Sequence, residues 1–168
     1  MIAELLFLSG LIAAPGVTPA LSAPAPVAER SVALLGGGQR AEDRPNDARA
    51  LLRDLNAARA AQGLAPVTME PRLCEIARRH ALDMVEHRFF GHASSDGETP
   101  FQRMRRAGYE YRAAGENLVL DADEPSAHRM LWRSNPHRAN MLEPQFGHVG
   151  IVAVATDNGE LFVEDFSD

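Results

Sequence analysis

The sequence contains no lysine, since all 17 of its basic residues are arginine. This absence excludes catalysis through a lysine Schiff base and any phosphate-binding loop built on a lysine. Basic residues are also outnumbered, because 23 acidic side chains give a formal net charge of −6 at pH 7. A negatively charged chain is a poor partner for a nucleic-acid backbone or an anionic membrane surface. We therefore expect neither as its main partner.

Cysteine is nearly absent as well. The single cysteine, Cys74, rules out an intrachain disulfide framework. The chain has 168 residues, of which 45% are hydrophobic. It can therefore bury one substantial core without disulfides, whereas two domains would be cramped.

The N-terminal apolar run, Ile2–Ala14, is too short to span a bilayer but suits the hydrophobic region of a signal peptide. Ala20 and Ser22 provide the small residues that a cut after Ser22 requires. Glu4 stands where a basic region is usual, so a misplaced start codon or a buried helix is the alternative. The pattern predicts a signal peptide over residues 1–22, export to the periplasm or the extracellular space, and no stable membrane span.

Residues 23–44 mix alanine, proline, a glycine triplet and scattered charges, and no hydrophobic period persists among them. This composition is typical of a flexible linker. A helical stripe of apolar residues follows, for which Asn46 can serve as the N-cap. We therefore predict one folded domain over residues 45–168.

Within this domain, segments with helical periodicity come first and strand-like segments come last. Two apolar runs around Asn158-Gly159 make a strong hairpin signal, and the segment around residues 113–120 has the composition of a buried strand. The sequence predicts an α+β domain with helices packed on a sheet.

Glu116 is the most informative polar residue, because it interrupts the apolar run "AAGENLVL". Burying a carboxylate without partners costs several kcal/mol, so we expect it to contact a histidine, an arginine, a metal or backbone donors. A salt bridge to one of the many arginines is the simplest alternative to a functional role.

Two histidines have surroundings that suit a site. His92 follows the pair Phe89-Phe90 and precedes a turn and the capping box that begins at Thr99, which places it at the edge of the core. His137 stands near the start of a short helix, whose dipole disfavours the imidazolium form and leaves a neutral imidazole that can bind metal. The alternative for His137 is an exposed residue at a helix start.

A second set of residues, two histidines and an aspartate, is a weaker candidate for a metal site. His80, Asp83 and His87 stand at i, i+3 and i+7, a spacing that could line one helix face with metal ligands. His80, however, belongs to an apolar stripe, and His87 lies at the end of the helix. We therefore expect His80 to be a core residue.

Seven segments follow one another along the predicted domain: "LLRDLNAARAAQGLAPV", "LCEIARRHALDM", "FFGHASSDGETPFQRM", "AAGENL", "WRSNPHRANML", "HVGIV" and "FVEDF". In this order they resemble the CAP superfamily (cysteine-rich secretory, antigen 5, pathogenesis-related-1), in its bacterial SCP-like form without disulfides. The resemblance extends over residues 46–168, essentially the whole predicted domain. It implies a helix–sheet–helix three-layer sandwich with a central, largely antiparallel sheet and a central cleft.

The resemblance also implies a cleft with two histidines and two acidic residues, which in several members binds a divalent metal. His92 matches the first histidine, Glu116 the acid of the G-E-N motif, and His137 the second histidine. The second acid is missing, because arginine, serine and asparagine follow Trp132. Two histidines and one carboxylate still form a three-ligand set with an open position, most consistent with zinc. Alternatively, Glu116 orients an imidazole.

Two functions follow from the resemblance. The first is an exported binding module whose cleft holds a peptide or a lipid-like ligand, with or without a metal. The alternative is a metal-dependent hydrolase, in which Glu116 or a bound water works beside His92 and His137. No H-E-x-x-H helix or separately placed general base is present in the sequence, and this favours the binding role.

Overall fold

The computed structural model of the protein describes residues 9–13 and 41–168. Its helices within these ranges are α1 (Pro45–Ala61), α2 (Pro71–His87), α3 (Pro100–Arg106), α4 (Glu124–Arg133) and α5 (Asn135–Met141). Its strands are β1 (Ser9–Ala13), β2 (Glu42–Asp43), β3 (Thr68–Met69), β4 (Ala113–Asp121), β5 (His148–Thr156) and β6 (Gly159–Ser167).

The strands form one sheet in the order β1-β4-β6-β5-β2, and β3 also pairs with β5. The β3–β5 pair is parallel, whereas the other pairs among the described residues are antiparallel. The predicted hairpin is the β5–β6 connection, where Gly159 takes a positive φ of 127° that favours glycine. The prediction of a largely antiparallel central sheet is confirmed.

Helices cover both faces of this sheet. Side chains of α1, α4 and α5 form one core with alternate residues of β4, β5 and β6, including Leu51, Leu131 and Phe162. Side chains of α2 form a second core with the intervening strand residues, including Met84 and Leu118. Successive strand residues point to opposite faces, so each strand contributes to both cores. The three-layer α+β sandwich is confirmed.

Proline begins each helix of the described chain at its first or second position, where the missing N–H would have no helical partner. The predicted capping box of α3 is present, with Thr99 and Gln102 bonding reciprocally. The predicted cap of α1 is wrong: Arg44 is the N-cap and Asn46 lies inside the helix. The helix begins earlier because Pro45 already has a helical φ.

A buried arginine fixes the position of α5. The Arg59 guanidinium on α1 donates to the carbonyl oxygens of Ala65 (2.8 Å) and Phe146 (3.0 Å). It also donates to the carbonyl oxygens of Met141 (2.8 Å) and Glu143 (3.0 Å), at and just beyond the end of α5. One side chain therefore ties α1 both to the loop that follows it and to the end of α5 with the loop beyond.

The predicted signal peptide and linker lie mostly outside the described residues. Within the signal peptide, Ser9–Ala13 form β1, which pairs antiparallel with residues 113–117 of β4. The described end of the linker includes Glu42–Asp43, which form β2 and pair with β5. The cut after Ser22 and the flexibility of the linker stay predictions. In the described ranges, no helix is long and apolar enough to cross a membrane.

Candidate functional site

Glu116 lies on β4 with only 1% of its surface exposed, and its side chain faces the α2–α3 layer. Its Oε1 is 2.6 Å from His92 Nδ1. Its Oε2 accepts a hydrogen bond from Arg103 Nη2. The expectation that a buried Glu116 contacts a histidine or an arginine is therefore confirmed for both.

Arg103 holds His92 as well as Glu116. His92 lies in the loop between α2 and α3, and its carbonyl oxygen accepts a hydrogen bond of 2.6 Å from Arg103 Nη1. The same nitrogen donates to Ser94 Oγ at 3.1 Å and to the Glu98 carbonyl at 3.2 Å. The Thr99 capping box fixes the start of α3. It therefore also fixes the position from which the Arg103 side chain, one turn further along the helix, reaches this loop. Arg103 thus binds both the loop that carries His92 and the carboxylate that contacts it.

The charges around Glu116 keep it ionised. Burial raises the pKa of the Glu116 carboxyl, but Arg103, His80 and His92 outweigh burial and lower this pKa to about 2. An ionised carboxylate on Nδ1 favours the tautomer with the proton on that nitrogen. The arrangement therefore orients the His92 ring and fixes which of its nitrogens carries the proton.

A second buried acid lies beside Glu116. Asp165 stands directly opposite it in the β4–β6 ladder and is 0% exposed. Burial, followed by the Glu116 charge, raises the pKa of the Asp165 carboxyl well above its usual value. Sequence reasoning missed this residue. The signal was present, because Glu164 and Asp165 interrupt an apolar strand as Glu116 does.

The other face of the same strands carries a network of amides. Asn117 Nδ2 donates to Glu164 Oε2 at 2.9 Å and to the His137 carbonyl at 3.3 Å. Asn140 Nδ2 donates to Asn117 Oδ1 at 2.9 Å and to the Glu116 carbonyl at 3.2 Å. Burial raises the pKa of Glu164 to about 7, although the bond from Asn117 opposes the rise. The network joins α5, and with it His137, to β4.

Gly115 completes the role of the G-E-N motif. A Cβ at this position would lie 3.0 Å from Asn140 Oδ1 and 3.3 Å from Phe146 Cζ. The absent side chain therefore lets α5 and the following loop approach β4 closely. Each residue of the motif has a distinct contact: Gly115 admits α5, Glu116 binds His92, and Asn117 binds the backbone of α5.

The structure brings two of the three predicted ligands into contact. His92 and Glu116 meet on the α2–α3 side, whereas His137 is fully buried on α5, which packs on the other face of the sheet. In residues 41–168, no three histidine, cysteine, aspartate or glutamate side chains are grouped as a metal ion would require.

Both Glu116 oxygens are already engaged, one by His92 and one by Arg103. The residues as arranged do not fit a zinc site built on His92, Glu116 and His137 together. They fit the alternative in which Glu116 orients His92. Zinc binding stays a prediction for titration to test.

His80 is a core residue, as expected. It is 1% exposed, its Nε2 lies 2.9 Å from the Gly91 carbonyl, and burial lowers its pKa to about 4. Asp83 contacts His87 Nδ1 at 2.8 Å and also binds Ser95, so these residues do not converge with His80 on a common ligand. Because Gly91 precedes His92, His80 helps to hold the loop that carries the site.

The site is closed to solvent in this structure, since His92 is 6% exposed and Glu116 and His137 still less. β1 pairs with residues 113–117 of β4, which include Glu116. Two open cavities, of about 620 and 420 Å³, lie elsewhere, the first along residues 105–112 and the second between α1, α2 and β5.

Comparison with known sequences gives a consistent result. Residues 52–166 match the family model described as CAP, the cysteine-rich secretory protein family. The chain is 34% identical over 112 residues to the Bacillus subtilis protein YkwD, covering 66% of this chain and 43% of YkwD. It is 29% identical over 97 residues to the B. subtilis membrane protein YlbC, covering 57% of this chain and 28% of YlbC. The chain thus spans less than half the length of either relative.

Solved structures share the fold at low sequence identity. An extracellular protein with an SCP domain from Bacillus anthracis has a TM-score of 0.66 and 23% identity, covering 73% of this chain and 40% of that chain. An outer surface protein from Borrelia burgdorferi has a TM-score of 0.73 and 20% identity, covering 78% of this chain and 98% of that chain. At these identities the likeness concerns the fold alone.

Proposed function

Because the chain belongs to the cysteine-rich secretory protein (CAP) family, we propose that it is an exported protein that binds an external ligand at the His92–Glu116 site. Export is supported by the apolar N-terminal segment and its small residues before position 23. It is also consistent with the fold relatives, which are named as an extracellular and an outer surface protein.

The observation that carries the binding role is the buried contact between His92, Glu116 and Arg103. Burying an ion pair costs desolvation energy, and apolar side chains of the same volume usually serve a core equally well. Buried charges that shift a pKa strongly are concentrated at functional sites. The site lies where the α2–α3 loop meets β4, so a ligand there would contact the oriented His92 ring.

The ligand classes that we propose are a peptide and a lipid-like molecule. A divalent metal is not needed for this role, since Glu116 acts on His92 rather than as a free ligand. The metal-dependent hydrolase stays an alternative prediction, because no described contact favours it over binding.

The experiment uses the nuclear magnetic resonances of the six histidine side chains. The full chain is labelled with ¹⁵N-histidine, and zinc chloride, palmitate micelles and a synthetic nonapeptide are added separately. We expect one probe to shift the His92 ring resonances at micromolar to millimolar concentration. His92→Ala should abolish binding of that probe, because it removes the oriented imidazole.

His148→Ala is the matched control. His148 is an exposed histidine at the start of β5, where its Nδ1 lies 3.1 Å from Thr68 Oγ1. This variant should bind the same probe with unchanged affinity. If none of the three probes shifts His92, or if His148→Ala loses binding while His92→Ala keeps it, the proposed function is wrong.

A further inference from the structure

We propose that the outer edge of β4 is a strand-binding site for an extended peptide of small and aliphatic residues, and that Ser9–Ala13 of this chain occupies it. The inference rests on the proposed function, because it names the ligand class of the same site. The alternative ligand class, a lipid-like molecule, is an outcome of the test.

The register of β1 places this edge at the site. Gly10 pairs with Glu116, and Leu11 and Ile12 pair with Gly115 and Ala114. The other edge of β4 is fully taken by β6, from Ala114 to Asp121. A strand on the outer edge therefore runs past the residue whose side chain contacts His92.

The hydrogen bonds show which main-chain groups face that edge. The Asp168 N–H donates to the Ala113 carbonyl at 3.1 Å, so residue 113 is bonded toward the β6 side. Residues of an antiparallel strand alternate in the direction of their main-chain bonds. Gly115 and Asn117 therefore also bond to β6, whereas the N–H and C=O groups of Ala114 and Glu116 face outward.

The opposite strand edge supports the same alternation. The N–H groups of Arg44 and Glu70 donate to the carbonyls of Ala153 and Val149, so the odd residues of β5 face away from β6. The even residues of β5 then bond to odd residues of β6, which leaves the even residues of β6 for β4. In the register of β4 and β6, two of these even residues, Phe166 and Glu164, are the partners of Gly115 and Asn117.

An extended peptide can satisfy the outward groups of Ala114 and Glu116, since it offers one donor and one acceptor at every second residue. An acyl chain offers neither. Removal of residues 1–22, as proposed for export, would leave these groups without a strand partner, and the Glu116 carbonyl would keep only its bond from Asn140 Nδ2. An open edge of this kind accepts another strand readily.

The register also sets a preference at one peptide position. A residue opposite Glu116 has its Cβ on the face where Glu116, His92 and Arg103 lie, and this chain places Gly10 there. An acidic residue at that position would face the ionised Glu116 directly, and like charges on opposite residues are destabilising. We therefore expect a small, uncharged residue opposite Glu116.

The first test measures hydrogen exchange in the full chain. Ile12→Pro removes the N–H that faces Ala114, whereas Leu11→Pro removes one that faces away from β4. The Ala114 and Glu116 amides should exchange roughly tenfold faster or more in Ile12→Pro than in the Leu11→Pro control. Near-ultraviolet circular dichroism of both variants reports whether the core is intact.

The second test adds a peptide with the sequence of residues 7–15, "FLSGLIAAP", to Ile12→Pro. The peptide should restore protection of the Ala114 and Glu116 amides. A peptide N-methylated at the positions of Gly10 and Ile12 should fail, and one N-methylated at Leu11 should succeed. A peptide with glutamate in place of Gly10 should bind at least about tenfold more weakly, since it opposes Glu116.

The wild type provides a measurement that needs no substitution. Excess peptide should displace β1, so the amides of residues 9–13 should exchange faster while those of β4 stay protected. Unchanged exchange at residues 9–13 would overturn the inference, as would equal protection by the two N-methylated peptides. A His92 response to palmitate or zinc together with such a failure would leave the proposed binding function standing and remove only the strand-binding site.

Discussion

The two faces of the β4–β6 pair each hold a buried glutamate, and the two glutamates behave in opposite ways. On the α2–α3 face, Glu116 contacts Arg103 and His92, and its pKa falls to about 2. On the α4–α5 face, Glu164 accepts a hydrogen bond from the Asn117 amide, and its pKa rises to about 7. Both side chains are essentially fully buried.

The two glutamates show separately how burial and a charged neighbour change the pKa of a carboxyl group. Burial alone raises the pKa of a carboxyl, as Glu164 shows, and a nearby guanidinium reverses the effect, as Glu116 shows. The α2–α3 face therefore keeps a fixed charge at neutral pH. The α4–α5 face, which carries His137, changes its charge within the range of physiological pH.

Removing Arg103 should have the largest effect on this difference. Arg103→Met leaves Glu116 buried without its cation, so we expect a loss of about 3–5 kcal/mol in the free energy of unfolding at pH 8. Glu116 normally contributes stability above pH 4.5, which is lost as the pH falls toward 2, because its folded pKa is lowered. Without Arg103 its pKa should rise, so the variant should lose less stability at pH 5 than at pH 8. Urea unfolding at both values measures this.

Arg105→Met is the control for that prediction. Arg105 is an exposed neighbour on α3 whose guanidinium lies 5.5 Å from the centre of the Tyr111 ring. Its loss should cost no more than about 1 kcal/mol. Equal losses for the two variants, or a loss in Arg103→Met that does not depend on pH, would contradict the comparison.

Glu164→Gln should remove a pH dependence that belongs to the α4–α5 face. The folded pKa of Glu164 is raised from 4.5 to about 7, so the folded state holds the proton more tightly and wild-type stability falls as pH rises between these values. This contribution reaches about 1.4 kcal/mol per pH unit. Relative to wild type, Glu164→Gln should gain about 2 kcal/mol in going from pH 5 to pH 8. Parallel stability profiles for the two proteins would show that Glu164 is not protonated in the folded state.

Several parts of this arrangement could be predicted from the sequence because they depend on local chemistry. Glu116 is conspicuous in an apolar strand, the Asn158-Gly159 pair marks the hairpin, and Thr99 marks the start of α3. These signals depend on neighbours within a few residues. The order of helices and strands then defines the α+β class.

The rest depends on which elements meet in space. Arg103 is one of 17 arginines, and only the docking of α3 beside β4 distinguishes it as the partner of Glu116. His137 lies on a helix that packs on the face opposite His92, and sequence order does not reveal which face a helix covers. Asp165 meets the criterion that found Glu116, because it also interrupts an apolar strand. It directly follows Glu164, however, so the two acids lie on opposite faces of the sheet, and the sequence does not reveal that both faces are buried.

His80→Ala tests how much the hydrogen bond from α2 to the loop that carries His92 contributes to stability. His80 binds the Gly91 carbonyl, so its loss leaves a buried acceptor unsatisfied and should cost about 2 kcal/mol at pH 7. Its folded pKa is lowered from 6.5 to about 4, so wild-type stability falls as pH drops between these values, and the variant should lack that dependence. Thermal unfolding between pH 4 and pH 8 measures both effects. A similar loss in His128→Ala, a half-buried histidine on α4, would mean that His80 has no special role.

The smallest expected effect concerns the start of α3. Thr99→Ala removes the side chain that accepts from the Gln102 N–H, so it should cost about 1 kcal/mol in urea unfolding. Since α3 carries Arg103, the substitution should also speed amide exchange at Ser94 and Glu98, which share the Arg103 guanidinium. Thr99→Ser, which keeps the hydroxyl, should lose less than half as much. Identical losses for the two substitutions would mean that the hydroxyl does not cap the helix.

The Arg59 clamp has a consequence for how this chain can vary. Its four hydrogen bonds all end on main-chain carbonyls, at residues 65, 141, 143 and 146, so they do not depend on which side chains those residues carry. Lysine could not replace it, because an ammonium group lacks the planar fork that reaches several acceptors at once. Substitution of Ala65 or Glu143 would therefore leave these bonds in place, whereas Met141 and Phe146 are constrained separately, because their side chains belong to the core. The path of the two loops thus depends on one arginine side chain more than on the side chains of the loops themselves.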